Sequence, residues 1–405
     1  MSTHRLYYDD SFLQNFTARV ITCASSEPFR TPSGTRPAWE VILDRTALYP
    51  SSGGQPHDLG KLGEAQILDV REDGEDIVHI VDREVPAGSV DGCVDWPRRF
   101  DHMQQHTGQH LLSAIFLEHF GLATVSFHLG AELCTIDLRG PEPSLDVLHG
   151  AQRATNAAIF QNRPVNVRYG TADQLAQQGV RKEVDRKGIL RAIEIEATDL
   201  QPCGGTHVRG TGQIGLVLVR RCTKIRQDWR VEFACGVRAE KLATEDYQLT
   251  RAIAERLSCS PEEAVAGIEK SVAERDAGAK NLRAALQQLA EARAKLMLGL
   301  TQPGASGLRC VASLLHEENP ELLLPLATEL AKNENTVALL IHEPSGQLVF
   351  GQSMAAAVDL SALLKQVLAA IPGKGGGTRD FVRAKLADPA QSAAALKLAT
   401  QLVTG

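Results

Sequence analysis

Long apolar runs are missing from this chain. No stretch approaches the ~20 consecutive apolar residues of a membrane-spanning helix, so a membrane protein of that kind is excluded. The first ten residues, Met1 to Asp10, are polar and lack the apolar core of a secretory signal. Aromatic residues are scarce (11 Phe, 5 Tyr, 3 Trp), and the eight cysteines lie far apart without the dense spacing of a disulfide framework. Reduced thiols in a cytoplasmic protein fit that scatter better than cross-links do. A strong charge of either sign is absent too: the formal net charge is −6 over 405 residues. A nucleic-acid partner would therefore need a local basic patch rather than a global field. The glycine-rich run Gly373 to Gly377 has neither the P-loop nor the dinucleotide-fingerprint spacing, so nucleotide binding is not indicated.

Two short stretches stand out against this background. In His106-Thr107-Gly108-Gln109-His110, two histidines sit four apart ahead of the apolar residues Leu111, Leu112, Ile115 and Phe116. On a helix that spacing puts both imidazoles on one face, one turn apart. In Cys203-Gly204-Gly205-Thr206-His207, a thiol and an imidazole are separated by two glycines that permit a tight turn. Either half alone is more often packing or surface. Together they supply three nitrogens and one sulfur, a tetrahedral zinc set of His106, His110, Cys203 and His207. Zinc proteases of the His-Glu-x-x-His type carry a glutamate after the first histidine. Thr107 occupies that place, which argues against that class.

The periodicities predict an α+β chain of four parts. Residues 1–95 carry short apolar runs divided by Gly, Pro and Asp, a pattern that predicts a small N-terminal β-barrel. The barrel contains the loop Tyr49-Pro50-Ser51-Ser52-Gly53-Gly54-Gln55. That loop reads either as a plain turn or as backbone that approaches a ligand closely, with Gln55 offering an amide donor and acceptor. Residues 96–238 mix helices and strands, with Asp101 expected to cap the histidine helix and a helix expected from Leu145 to about Gln161. This part holds most of the local positive charge, including Arg181, Lys182, Arg186, Lys187, Arg191, Arg209, Arg220, Arg221, Lys224, Arg226 and Arg230. Any one of these is most simply solvated surface; as a group they suit phosphate contacts. Residues 239–302 are expected to be helical. Ser260-Pro261-Glu262-Glu263 forms a start signal, and a coiled-coil-like seam runs from Val265 to Leu300. That seam suits packing within the chain or across a dimer. Residues 303–405 read as a small α/β domain whose Gly373–Gly377 loop is expected to open a helix and hold an anion.

His-x-x-x-His followed by Cys-Gly-Gly-Thr-His, with Tyr-Pro-x-x-Gly-Gly-Gln upstream, resembles the editing domain of alanyl-tRNA synthetases. The opening Leu6-Tyr7-Tyr8-Asp9-Asp10 and the form His-Thr-Gly-Gln-His-Leu-Leu are more similar to the freestanding long AlaX-type editing proteins, and the C-terminal glycine run resembles the DHHA-type domain that ends them. The chain starts almost at the barrel, so the resemblance implies editing in trans without an aminoacylation domain. The Asp-His-His region of phosphoesterases that share the DHHA-type domain is absent, and phosphoester hydrolysis is not implied.

The implied activity is zinc-dependent deacylation of alanine tRNA mischarged with serine, and also with glycine, at the terminal ribose ester. An ion there either lowers the pKa of a bound water or holds and polarises the substrate. Four protein ligands would make a closed site; three plus water would leave a position open. The resemblance assigns Thr124 to reading the serine hydroxyl, against the plain alternative of a strand threonine. Gln55 and the Gly53-Gly54 backbone are candidates to orient the ester or ribose, and Gln109 and Ser126 are the next candidates for the hydroxyl. A non-catalytic tRNA-binding protein with a structural zinc stays open as the alternative. The helical segment implies a homodimer.

Overall fold

The computed structural model describes residues 2–31, 34–181, 187–316 and 319–405. It divides into two compact units, Met1–Ala252 and Ile253–Gly405.

In the first unit, six strands form a ring: β1 (Asn15–Thr31), β2 (Gly34–Leu43), β3 (Gly60–Leu62), β4 (Ala65–Asp73), β5 (Asp76–Val81) and β6 (Gly88–Val94). They pair in the order β1-β2-β5-β4-β3-β6, and β6 closes antiparallel onto β1. Closure gives each of the six strands two neighbours. Its interior is filled by inward-facing Val41, Leu43, Ile67, Val70, Ile77, Val81, Val90 and Val94. On β6 the inward Val90, Gly92 and Val94 alternate with outward Asp91 and Cys93, the period of two expected of a strand with one buried face.

The next element, α1 (Trp96–Phe120), has its cap six residues before the expected Asp101. Asp95 is the cap, accepting from Arg98 N, and Pro97 takes a first-turn position where its missing N–H costs nothing. Asp101 lies within the helix and pairs instead with Arg238 at 2.5 and 2.8 Å. The helix stops at Gly121, which adopts a left-handed φ of 66°. Every residue from His102 to Phe116 is buried, so α1 is packed all round. One side carries Met103, Leu111, Leu112 and Phe116 into the main core.

Two sheets flank it. The first has the order β12 (Val217–Ile225), β13 (Asp228–Cys235), β8 (Cys134–Arg139), β7 (Ala123–Leu129), and the second β9 (Val165–Gly170), β10 (Leu190–Ile195), β11 (Asp199–Pro202). Helix α2 (Leu145–Phe160) is capped by Ser144 and covers the expected span. α3 (Gly236–Leu257) follows β13.

The second unit contains α4 (Ala264–Leu300), preceded by the Ser260 capping box with Glu263. It also holds a sheet of β14 (Arg309–Leu315), β15 (Thr336–His342), β16 (Gln347–Gln352), β17 (Gly373–Gly377) and β18 (Phe381–Leu386), in the order β14-β15-β16-β18-β17. β15 is buried along its whole length. Leu339 and Ile341 face the core that includes α6 (Leu360–Ala370) and α7 (Ser392–Thr404), and Ala338 and Leu340 face α5 (Leu323–Ala331). On α4, Leu286, Ala290 and Ala294 pack into that second core at intervals of one turn. The apolar seam is otherwise exposed: Val265, Ile268, Val272, Leu282, Leu289, Leu296 and Leu300 are open to solvent. The glycine run is not a loop opening a helix. Gly373–Gly377 is an edge strand antiparallel to Phe381–Leu386, because Gly375 and Gly377 can approach the β18 backbone where a side chain would collide.

One ion pair ties barrel to helix. Arg99 and Asp58 are both fully buried. The Arg99 guanidinium also donates to Ser11 O at 2.8 Å and Ala47 O at 2.5 Å, and Asp58 accepts from Tyr49 N at 2.6 Å. Arg99→Met would strand a buried carboxylate and should destabilise the unit by about 3–5 kcal/mol. Denaturant titration should show that loss, with the Asp58→Asn, Arg99→Met double variant recovering part of it; an unchanged midpoint for Arg99→Met would refute the assignment.

Candidate metal centre

The four donors foreseen from spacing converge. One ligand atom from each of His106, His110, Cys203 and His207 lies within 4.8 Å of every other. α1 presents the first two from consecutive turns of one face. The turn after β11 presents the other two, and this turn must be glycine-rich: a Cβ on Gly205 would stand 2.2 Å from His106 Cε1. Arg191 holds the turn by donating to Cys203 O at 2.8 Å and Gly205 O at 3.0 Å.

Each imidazole is anchored through Nδ1. His106 donates to Gln55 Oε1 at 2.9 Å, His110 to Asp199 Oδ2 at 3.2 Å, and His207 Nδ1 meets Thr107 Oγ1 at 3.1 Å. Partners of this sort fix ring orientation and tautomer at metal sites. The Nε2 atoms of His106 and His207 lie 3.5 and 3.3 Å from Cys203 Sγ. A tetrahedral zinc with ordinary Zn–N and Zn–S bonds requires N···S edges of about 3.5 Å, so the donor set fits that ion. Burial opposes the Cys203 thiolate, but the adjacent His106 and His207 hold the thiol well below its usual range, which suits a metal-binding sulfur. Burial and then His106 push His207 down to about 3. At His110 burial is outweighed by Asp199 and Cys203, and its pKa rises to about 9.

A cavity of about 450 Å³ opens beside His110 and Cys203. Gly53, Gly54, Gln109, Thr124 and Ser126 all line it. Gly53 and Gly54 have φ of 54° and 82°, and Gly54 lies against Phe127 so closely that a Cβ would reach the ring at 2.7 Å. Thr124 Oγ1 donates to Ser113 Oγ at 2.8 Å, and Gln109 Nε2 donates to the same oxygen at 2.9 Å. Ser126 Oγ donates to Asp137 Oδ2 at 2.6 Å, and Asp137 also binds Arg230. Gln55 does not line the cavity. It is buried, with Nε2 donating to Thr206 Oγ1 at 2.8 Å and Oε1 accepting from Thr206 N at 3.1 Å as well as from His106. It is a positioning residue for His106.

Sequence reasoning missed Asp199, Ser113 and Gln201. Asp199 had a signal: on a strand, Asp199, Gln201 and Cys203 alternate onto one face. The basic residues are mostly engaged. Arg181 binds Asp199 at 2.7 Å, Arg221 binds Glu232, Arg220 binds Asp246, Arg209 binds Asp10, and Lys224 lies over Trp229. Lys187 and Arg226 are exposed. Lys182 and Arg186 fall outside the described residues. No helix among the described residues is long and apolar enough to cross a membrane.

The His/Cys tetrad beside an open cavity could hold a metal ion, and residues 190–230 match the family described as the threonyl and alanyl tRNA synthetase second additional domain. Alanyl-tRNA editing protein Aarsd1-A of Xenopus laevis is 32% identical over 294 residues, covering 71% of each chain. Alanyl-tRNA editing protein AlaX-L of Pyrococcus horikoshii is 34% identical over 246 residues, 58% of each chain. The alanine–tRNA ligase of Thermoplasma acidophilum is 32% identical over 298 residues, 69% of this chain and 32% of the ligase. The chain belongs to the alanyl-tRNA editing protein family.

Losing an outer partner of a metal-binding histidine typically costs 10–100-fold in affinity. Gln55→Ala should weaken zinc binding by about that factor in a chelator competition titration, and Gly205→Ala, through its clash with His106, by more. Equal zinc affinity in both variants and the wild type would contradict a centre built on these four donors.

Proposed function

We propose that this protein is a trans-editing deacylase. It removes chiefly serine from mischarged alanine tRNA by hydrolysing the ester to the terminal ribose. The observation that carries the reading is Thr124, which stands on the wall of the same cavity as His110 and Cys203 while its hydroxyl donates to Ser113. Its oxygen keeps a lone pair to accept from a serine hydroxyl. An alanyl ester leaves that acceptor unpaired, and sites that hydrogen-bond a substrate hydroxyl discriminate well against its absence. In the reaction the acyl carbon takes the oxygen of water, the ester C–O bond breaks, and the ribose oxygen leaves with a proton. His106, His110, Cys203 and His207 would hold a zinc ion, which when bound would supply Lewis-acid chemistry. Gln55, Asp199 and Thr107 keep the imidazoles in place, and Arg191 keeps the cysteine turn in place.

The reading extends to the rest of the chain. We divide it into a barrel (1–95), an editing domain (96–238), a helical segment (239–302) and a DHHA-type domain (303–405), in a cytoplasmic protein. The exposed basic residues, with Lys374 and Arg379, contact the tRNA backbone, and copies pair through the open apolar residues of α4. Four protein donors around one centre favour a second reading, in which the zinc is structural and the protein only binds tRNA.

Thr124→Val keeps the shape and removes the hydroxyl. Loss of one buried hydrogen bond is worth ~1–3 kcal/mol, so single-turnover hydrolysis of the seryl ester should fall roughly tenfold to a hundredfold relative to the alanyl ester, with zinc retained. Both rates falling together, or neither changing, would remove Thr124 from this role. No hydrolysis of either ester by zinc-loaded wild type would favour the structural reading. Affinity for tRNA should fall steeply with salt; a flat salt profile would refute backbone contacts. Light scattering that finds only monomer at micromolar concentration would refute the pairing.

A further inference from the structure

Gln109 and Gln201 line the cavity, and each carries a buried amide oxygen that nothing above uses. Gln109 is 3% exposed, and with Nε2 turned to Ser113 its Oε1 has no partner among the described residues. The Oε1 of Gln201 is likewise buried and unpartnered. Both residues line the same cavity as the metal donors. Buried acceptors are normally satisfied, and an orphan in a folded protein calls for an explanation.

Their places in the fold give one. Gln109 immediately precedes His110 on α1. Gln201 shares a face of β11 with Asp199 and stands two residues before Cys203, which opens the following turn. The two oxygens therefore come from the two elements that supply the metal donors. A pair of acceptors asks for a group with at least two N–H or O–H donors. A side-chain hydroxyl has one, whereas an ammonium has three. In an aminoacyl ester the α-amino group is one carbon from the scissile carbonyl, so a receptor beside the metal donors is where it would be met. Arg181 also lines this cavity, but its charge is balanced by Asp199 at 2.7 Å.

We infer that Gln109 Oε1 and Gln201 Oε1 form a receptor for the free α-amino group of the acyl moiety. The inference rests on the deacylase reading and adds a requirement to it. Thr124 reads the side chain, and the glutamine pair reads the α-nitrogen. Esters whose nitrogen is acylated, or replaced by oxygen, are poor substrates even when the side chain is serine. Peptidyl and N-formylated tRNA are spared for that reason.

The test uses the full, zinc-loaded chain and three esters of one alanine tRNA: seryl, N-acetylseryl, and glycerate, in which a hydroxyl replaces the α-amino group of serine. The glycerate ester is nearly isosteric, so it separates hydrogen bonding from bulk. Single-turnover hydrolysis by wild type should favour the seryl ester over the glycerate ester by about 100-fold or more, with the N-acetyl ester slower still. Gln201→Met should shrink the seryl-to-glycerate ratio about tenfold, the effect of one lost hydrogen bond. Gln201→Glu, which restores an acceptor, should keep the ratio; zinc content is measured alongside. A wild-type ratio near one, or a ratio unmoved by Gln201→Met, overturns the receptor while leaving the deacylase reading standing. Failure to cleave any of the three esters overturns both.

Discussion

The fully buried pair of Asp58 and Arg99 is the constraint on which the site depends. A guanidinium and a carboxylate taken out of water repay their desolvation only when further groups meet their remaining donors and lone pairs. Here the Ser11 and Ala47 carbonyls and the Tyr49 amide do so. These partners come from the N-terminal segment and from the loop that includes Gln55, so the pair sets the barrel against the first turn of α1. The same docking brings Gln55 to His106 across 51 residues of sequence. Stability of the barrel–helix contact and aim of a metal-binding imidazole thus arise from one arrangement.

The centre follows a common logic with three different chemistries. Each histidine needs its Nδ1 held so that Nε2 faces the ion. An amide oxygen does this for His106, a carboxylate for His110 and a hydroxyl for His207. The carboxylate is itself balanced by Arg181, which stands at the cavity wall. Thr107 occupies the place where a zinc protease has its general base. In this chain that residue meets His207 and caps Val208 N, which makes it part of the scaffold.

Across the cavity the polar groups divide into two sets. Ser126 is occupied with Asp137 and the Arg230 pair, whereas Thr124, Ser113 and Gln109 form a short chain that ends in an open acceptor. The Gly53-Gly54 backbone also lines the cavity, with Gly54 pressed against Phe127.

The sequence by itself determined which four side chains could share a metal centre, because each half of the set is written in local spacing: one helical turn between His106 and His110, and a glycine turn between Cys203 and His207. It also determined the run that became α2 and the β-rich character of residues 1–95, since local apolar patterning survives without knowledge of neighbours. Only the tertiary structure decided what the other polar residues do. Gln55 looked like a ligand-facing amide in a glycine loop, and packing placed it behind His106 instead. Asp101 looked like a cap, but Asp95 and Pro97 offered an earlier start. Asp199, Ser113 and Gln201 carry no local signature, since their partners lie on other elements. The glycine run near the C-terminus became an edge strand because its register with Phe381–Leu386 requires close backbone approach. Local spacing is a property of the chain; hydrogen-bond partnership and burial across elements are properties of the fold.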